Sequence, residues 1–312
     1  MQKPLLAGVN TSSSASKNVA TGLAFAVVGA IAFSGKAIIV KLAYQHGVDS
    51  VTLLMLRMVF ALPVFLAMAW WASRGQPALS RRDWLGIALL GGCGYYLSSF
   101  MDFLGLQYIS ASLERLILYL NPTLVLLLGW AVYGRRVGRA QALAMAVSYS
   151  GILLVFAHEV RFEGSKTALG AALCLGSAAL YSVYLVYSGE MVKRIGSMRL
   201  VGLASSVACV CCIVQFLLLR PLAAADVGPQ VLWLSVLNAS VCTVVPILLV
   251  MMAIERVGAS VTAQTGMIGP LSTLLMGVVI LDEPLNAWII AGTALVLSGV
   301  YLVSRVARAG TR

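Results

Sequence analysis

Ten long apolar runs, each sufficient to cross a bilayer, occupy this chain almost from end to end. They fall near 20–44, 50–72, 84–106, 111–132, 139–157, 167–188, 198–219, 230–254, 259–281 and 287–306. About 20 apolar residues in a helix span the hydrocarbon core. Backbone groups in lipid must be bonded within their own segment, so runs of this length are helices. A β-barrel would need alternating polarity over segments of about ten residues, and that pattern is absent. The connections leave no room for an extramembrane domain. The expected fold class is an all-α polytopic membrane protein of ten transmembrane helices.

Composition agrees. Only 11% of residues are charged and the mean hydropathy is +0.94, where a soluble domain carries about 25% charged residues. A soluble enzyme, a disordered regulator and an ordinary nucleic-acid-binding domain are excluded. The formal net charge of +11 looks at first like a phosphate-binding surface. An even number of spans puts both termini on one side, and fifteen Lys and Arg fall there, from Lys3 and Lys17 through Arg135 and Arg136 to Arg312. Only Arg161, Lys166 and Arg220 fall opposite. Cationic loops stay cytoplasmic, so both termini are expected in the cytoplasm, with the bilayer and not nucleic acid as partner. Residues 1–18 read as a short disordered cytoplasmic tail and 307–312 as its C-terminal counterpart. No cleavage site follows the first run, which is expected to remain in the membrane. The six cysteines lie in apolar runs without a CxxC pair, so neither a disulfide framework nor a zinc site is expected.

The chain also repeats itself. At an offset of 148 residues, segment 109–155 aligns without a gap to segment 257–303 at eleven identical positions. These include Ala111 with Ala259, Ser112 with Ser260, Pro122 with Pro270, Gly129 with Gly277, and Ser150-Gly151 with Ser298-Gly299. The same offset pairs Gly22 with Gly170, Ala30 with Ala178 and Ser34 with Ser182. The units are 19–158 and 167–306, of five helices each. An odd number forces the second copy into the membrane the opposite way up. Inverted repeats are a recurrent plan of secondary transporters, with the substrate near the midplane between them.

The stretches ASLERLILYLNPTLVLLLGW (111–130), GPLSTLLMGVVILDEPL (269–285) and LLMLRMVFALP (53–63) resemble the EamA-type branch of the drug/metabolite transporter superfamily, and within it most closely the YddG-type exporters of aromatic and other amino acids. The resemblance covers nearly the whole chain. It implies a multi-pass transporter, not an enzyme, in the inner membrane of a bacterium. A monomer would suffice, and no cofactor is implied. One departure stands out: the second half carries the acidic turn Asp282-Glu283, whereas the first has Gly134-Arg135-Arg136. The first-half turn is cytoplasmic on the charge count, which accounts for its arginines.

Ionisable residues within spans cost about 2.5–3.5 kcal/mol each on insertion scales. The clear cases all lie in the first repeat: Lys36, Lys41, Arg57, Asp102, Glu114 and Arg115. Their mates at the 148 offset, Tyr184, Gly189, Ser205, Val250, Thr262 and Ala263, carry no charge. Helix direction puts the six in the outer half of the membrane, where opposite charges should pair. One reading is an ion-pair network fastening the first four helices. The other is a charged exit path or a proton-coupling acid, Glu114 before Asp102, although its neighbour Arg115 argues for mutual neutralisation. Lys41 can snorkel to the interface.

Nearer the midplane, Tyr95, Ser98, Ser99 and Asp102 share a face of the third helix at α-helical spacing, with Tyr96 beside them. Tyr119 and Asn121 precede Pro122, Tyr181 and Tyr184 lie on the sixth helix, Asn238 on the eighth, and Gln264 and Met267 precede Pro270. Any single Ser or Thr in a membrane helix commonly bonds backbone or a neighbouring helix, whereas buried Asn and Gln need several partners. Together these groups suit a zwitterion with an apolar side chain. Pro122 and Pro270 are either static bends or hinges. No Walker loop, HExxH or nucleophile elbow is present. The expected function is export of small metabolites, foremost aromatic and other hydrophobic amino acids, by alternating access. The alternatives are a permease for organic cations, nucleotide sugars or phosphorylated sugars and, from another class, a membrane-embedded enzyme or lipid-handling protein.

Overall fold

In a computed structural model, the backbone is described for residues 10–133, 138–163 and 166–309. The first nine residues, the Gly134-Arg135-Arg136 turn and the last three residues lie outside that description, as do the side chains of Gln264 and Met267. Among the described residues every regular element is helical, and eight helices are long and apolar enough to cross a membrane. The shorter apolar helices Gly269–Leu281 and Ala287–Leu302 complete the ten. Side chains such as Leu153, Trp233, Leu275 and Val279 are exposed around the outside, as lipid-facing surfaces require.

The α-helices are α1 (Asn10–Gln45), α2 (Ser50–Ser73), α3 (Arg81–Leu89), α4 (Ser98–Gly105), α5 (Ala111–Leu118), α6 (Asn121–Tyr133) and α7 (Arg139–Glu163) in the first half. The second half holds α8 (Lys166–Ile195), α9 (Ser197–Leu219), α10 (Pro229–Ala239), α11 (Val245–Thr265), α12 (Gly269–Leu281) and α13 (Ala287–Ala309). Helix α1 starts at Asn10, inside the stretch read as a tail; residues 10–18 contain neither Gly nor Pro to stop it. Two spans are interrupted by π-helix, Leu90–Leu97 between α3 and α4 and Ser240–Val244 between α10 and α11. At the 148 offset the second falls within the first, so the repeat extends to an irregularity of the backbone.

Packing obeys the same two-fold relation. Helix α2 packs on α9 and α7 on α13, while α1 lies between α11 and α12 as α8 lies between α4 and α6. Individual contacts recur in mated form. Gly22 faces Arg256 and Val257, and its mate Gly170 faces Tyr108 and Ile109. Ser34 Oγ donates to Gly269 O at 2.9 Å, and its mate Ser182 Oγ reaches Asn121 O at 3.4 Å. The chain turns back between Val257 and Gly269, because the first meets α1 near Gly22 and the second near Ser34.

Candidate functional site

The two proline-bearing helices are broken where they meet. Between α5 and α6 the chain makes a turn at Tyr119–Leu120, and between α11 and α12 it tightens to a 3₁₀ turn at Gly266–Ile268. Pro122 and Pro270 thus sit in the first turns of α6 and α12, where a missing N–H costs least. Tyr119 Oη donates to Gly266 O at 2.5 Å and ties one break to the other. The N-terminal ends of two half-helices, each carrying partial positive charge, therefore approach the pseudo-axis.

An aromatic group lies alongside. Tyr95 stands edge-on to Tyr181 and Tyr184, with ring centroids 6.4 and 5.2 Å away, and Tyr181 stacks on Tyr184 at 5.7 Å. Gly94 admits the Tyr184 ring, since a Cβ there would meet it. Asn121 Oδ1 accepts from Ser182 Oγ at 3.3 Å, so the first break reaches the aromatic helix α8. Asn238 is fully buried, and neither atom of its amide has a partner among the described residues. Tyr96 does not join the group; it packs with the apolar core of α2 and α9. Ser99 also stands apart, and Ser98 makes the bond to α8, 3.0 Å to Ser177 Oγ. Gly94, Ser98, Met101 and Gly105 all meet α8, and Ser99 lies about 100° round the helix from Ser98.

Three of the first-repeat charges come together. Lys36 Nζ lies 2.5 Å from Asp102 Oδ2 and 3.1 Å from Glu114 Oε1, all three side chains buried. The two arginines do not neutralise these acids. Arg115 Nε donates to Thr273 Oγ1 and its Nη2 to Phe33 O, each at 3.0 Å, with the guanidinium over the Phe33 ring. Adjacent helix residues point about 100° apart, which separates Arg115 from Glu114. Arg57 Nε donates to Thr243 Oγ1 at 3.0 Å, and its guanidinium lies over Phe103. Thr243 and Thr273 belong to the second repeat, so both arginines bridge the halves.

A cavity of about 880 Å³ opens among Lys41, Tyr44, Gln107, His158 and Asn286. Its lining was not singled out from sequence, apart from Lys41. Two carboxylates on its wall hold α5: Glu283 accepts from Ala111 N at 2.7 Å and from Ser112 Oγ at 2.6 Å, and Glu159 accepts from Ser110 Oγ. Asn286 Nδ2 donates to His158 Nε2 at 2.7 Å, and Asn286 Oδ1 caps α13. Asp282, at φ 54°, makes the left-handed turn that aims Glu283 at α5.

The model of the EamA-like transporter family matches residues 20–157 and again 168–305. The chain belongs to the EamA-like transporter family. It is 30% identical to an uncharacterized transporter of Bacillus subtilis, YcbK, over 86% of this chain and 88% of that one. It is 24% identical to an uncharacterized transporter of Archaeoglobus fulgidus, over 87% and 93% respectively. A solved crystal structure shares the fold with a TM-score of 0.61 at 18% identity, covering 94% of this chain and 97% of the other. The protein is thus a multi-pass membrane transporter and not an enzyme.

In this EamA-like transporter the two halves are also joined by ion pairs at helix ends. Arg194 lies 2.5 Å from Asp83, and Arg220 Nε lies 3.2 Å from Asp49 Oδ1. Asp49 caps α2 through Val51 N and Thr52 N and accepts from Thr52 Oγ1 at 2.6 Å. Partial burial pushes its carboxyl up, but the Thr52 and Val51 hydrogen bonds and the Arg220 charge outweigh burial and hold it below the ordinary value. The contact therefore stabilises the fold above the unfolded carboxylate range and is lost as pH falls through the folded value. Asp49→Asn is expected to lose less thermal stability on acidification than wild type, read as melting temperature against pH. An unchanged acid slope would contradict this.

Proposed function

We propose that this transporter exports small zwitterions with apolar or aromatic side chains, amino acids foremost, by alternating access between its two repeats. The observation that carries the reading is the meeting of two broken helices at the pseudo-axis beside Tyr95, Tyr181 and Tyr184. Half-helix N-termini favour a carboxylate. The Asn121 amide and tyrosine hydroxyls supply acceptors for an ammonium, and the aromatic rings suit an apolar side chain. Loop charge supports a cytoplasmic location for both termini in a bacterial inner membrane.

Counterflow in proteoliposomes tests the proposal. Labelled phenylalanine, leucine or methionine is expected to accumulate against internal unlabelled substrate. Tyr119→Phe, which removes the hydroxyl between the breaks, is expected to slow counterflow about tenfold, equivalent to about 1.4 kcal/mol. Failure of all three amino acids to exchange would refute the substrate class.

A further inference from the structure

The Lys36 cluster has two carboxylates for one ammonium. Asp102 takes the close ion pair through Oδ2, leaving Oδ1 without a hydrogen bond. Glu114 has no exposed surface, and although Oε1 lies 3.1 Å from Lys36 Nζ, neither of its oxygens has a hydrogen bond. Both carboxyls face one ammonium, with Asp102 Oδ2 at 2.5 Å and Glu114 Oε1 at 3.1 Å from Lys36 Nζ. Two ionised carboxylates on one ammonium leave a negative charge in excess, and an ionised carboxylate buried with both oxygens unsatisfied is costly. One proton on Glu114 removes the excess charge.

Among the described residues, the other titratable and charged groups around the pair do not hydrogen-bond the Glu114 oxygens. Helix α1 contributes Lys36, already shared, with Lys41 and Tyr44 farther along; Tyr44 donates its hydroxyl to Phe103 O at 2.5 Å. Cys174 approaches on α8 and Arg57 on α2. Arg115, on α5 itself, is held by Thr273 of α12 and by Phe33 O. Glu159 of α7 is bonded at Ser110, the N-cap of α5, and α13 presents apolar Ile289 and Val296.

From this geometry we infer that Glu114, which shares Lys36 with Asp102, is a proton-binding site that couples proton movement to the rocking of the repeats. Binding forms one O–H bond on Glu114 with a proton taken from water; release breaks it and returns the proton to water. Release leaves an uncompensated carboxylate next to Arg115. Turning that guanidinium toward Glu114 breaks its bond to Thr273 and loosens the second repeat. The inference rests on the transporter reading but not on the substrate.

Infrared difference spectroscopy of the full-length protein in lipid vesicles, with the proton itself as probe, tests it. Wild type is expected to show a protonated-carboxyl C=O band at neutral pH that is lost in alkaline buffer. Glu114→Gln should lack the band, and Asp102→Asn should shift it. Absence of a titrating band in wild type would overturn the inference, as would its retention in Glu114→Gln. If that variant does not fold, an unshifted band in folded Asp102→Asn is equally fatal. Because no substrate is added, failure of amino-acid counterflow leaves this result standing. Where phenylalanine does move, its accumulation should respond to an imposed pH gradient, and indifference to the gradient would refute the coupling.

Discussion

Replacing Lys36 with Met is expected to destabilise the purified protein by roughly 3–5 kcal/mol, the usual cost of stripping one partner from a buried ion pair. Among the described residues, Lys36 alone forms ion pairs with both Asp102 and Glu114, at 2.5 and 3.1 Å. A proton on Glu114 still leaves Asp102 ionised and unpaired in a low-dielectric interior. The measurement is thermal unfolding in detergent. Adding Asp102→Asn and Glu114→Gln to Lys36→Met should recover most of the loss, because a neutral cluster needs no counter-charge. A single variant that melts with wild type would show that water reaches the cluster and that its pairing is ornamental.

Gly151→Val is expected to cost about 3 kcal/mol or more, at the upper end for overpacking. Helices α7 and α13 touch backbone to backbone at this point. A Cβ on Gly151 would lie 2.6 Å from Gly292 O and 2.9 Å from Val296 N. These are main-chain atoms, so no rotamer change relieves the clash and the helices must separate. Gly92→Ala is the matched control, since its Cβ would meet nothing within 4 Å. The yield of monodisperse protein and its melting temperature check both variants; equal behaviour would contradict the packing argument.

Physical origin decides which features were legible in the sequence. Span number and duplication rest on solvent and spacing, so they appear in a one-dimensional pattern. Helix direction gives an expected depth, and the closed fold brings Lys36 to Asp102 and Glu114. Depth says nothing of azimuth, and Arg115 consequently turns to Thr273 instead of Glu114. The π segments are unreadable from LGGCGYYL and SVCTV. Glu283 caps a helix far earlier in the chain, and only the closed fold brings the two together. The Pro122 and Pro270 breaks were legible as positions; their mutual contact through Tyr119 was not.

That contact has a mechanical consequence. Points on the axis of a two-fold rocking body hardly move, while points at its rims move most. Tyr119 and Gly266, nearly mates under the 148-residue offset, form such a fulcrum. Asp83–Arg194 and Asp49–Arg220 lie out on the lever arms. A covalent tether across the centre should therefore be tolerated through the whole cycle, whereas the same tether at either rim should arrest it.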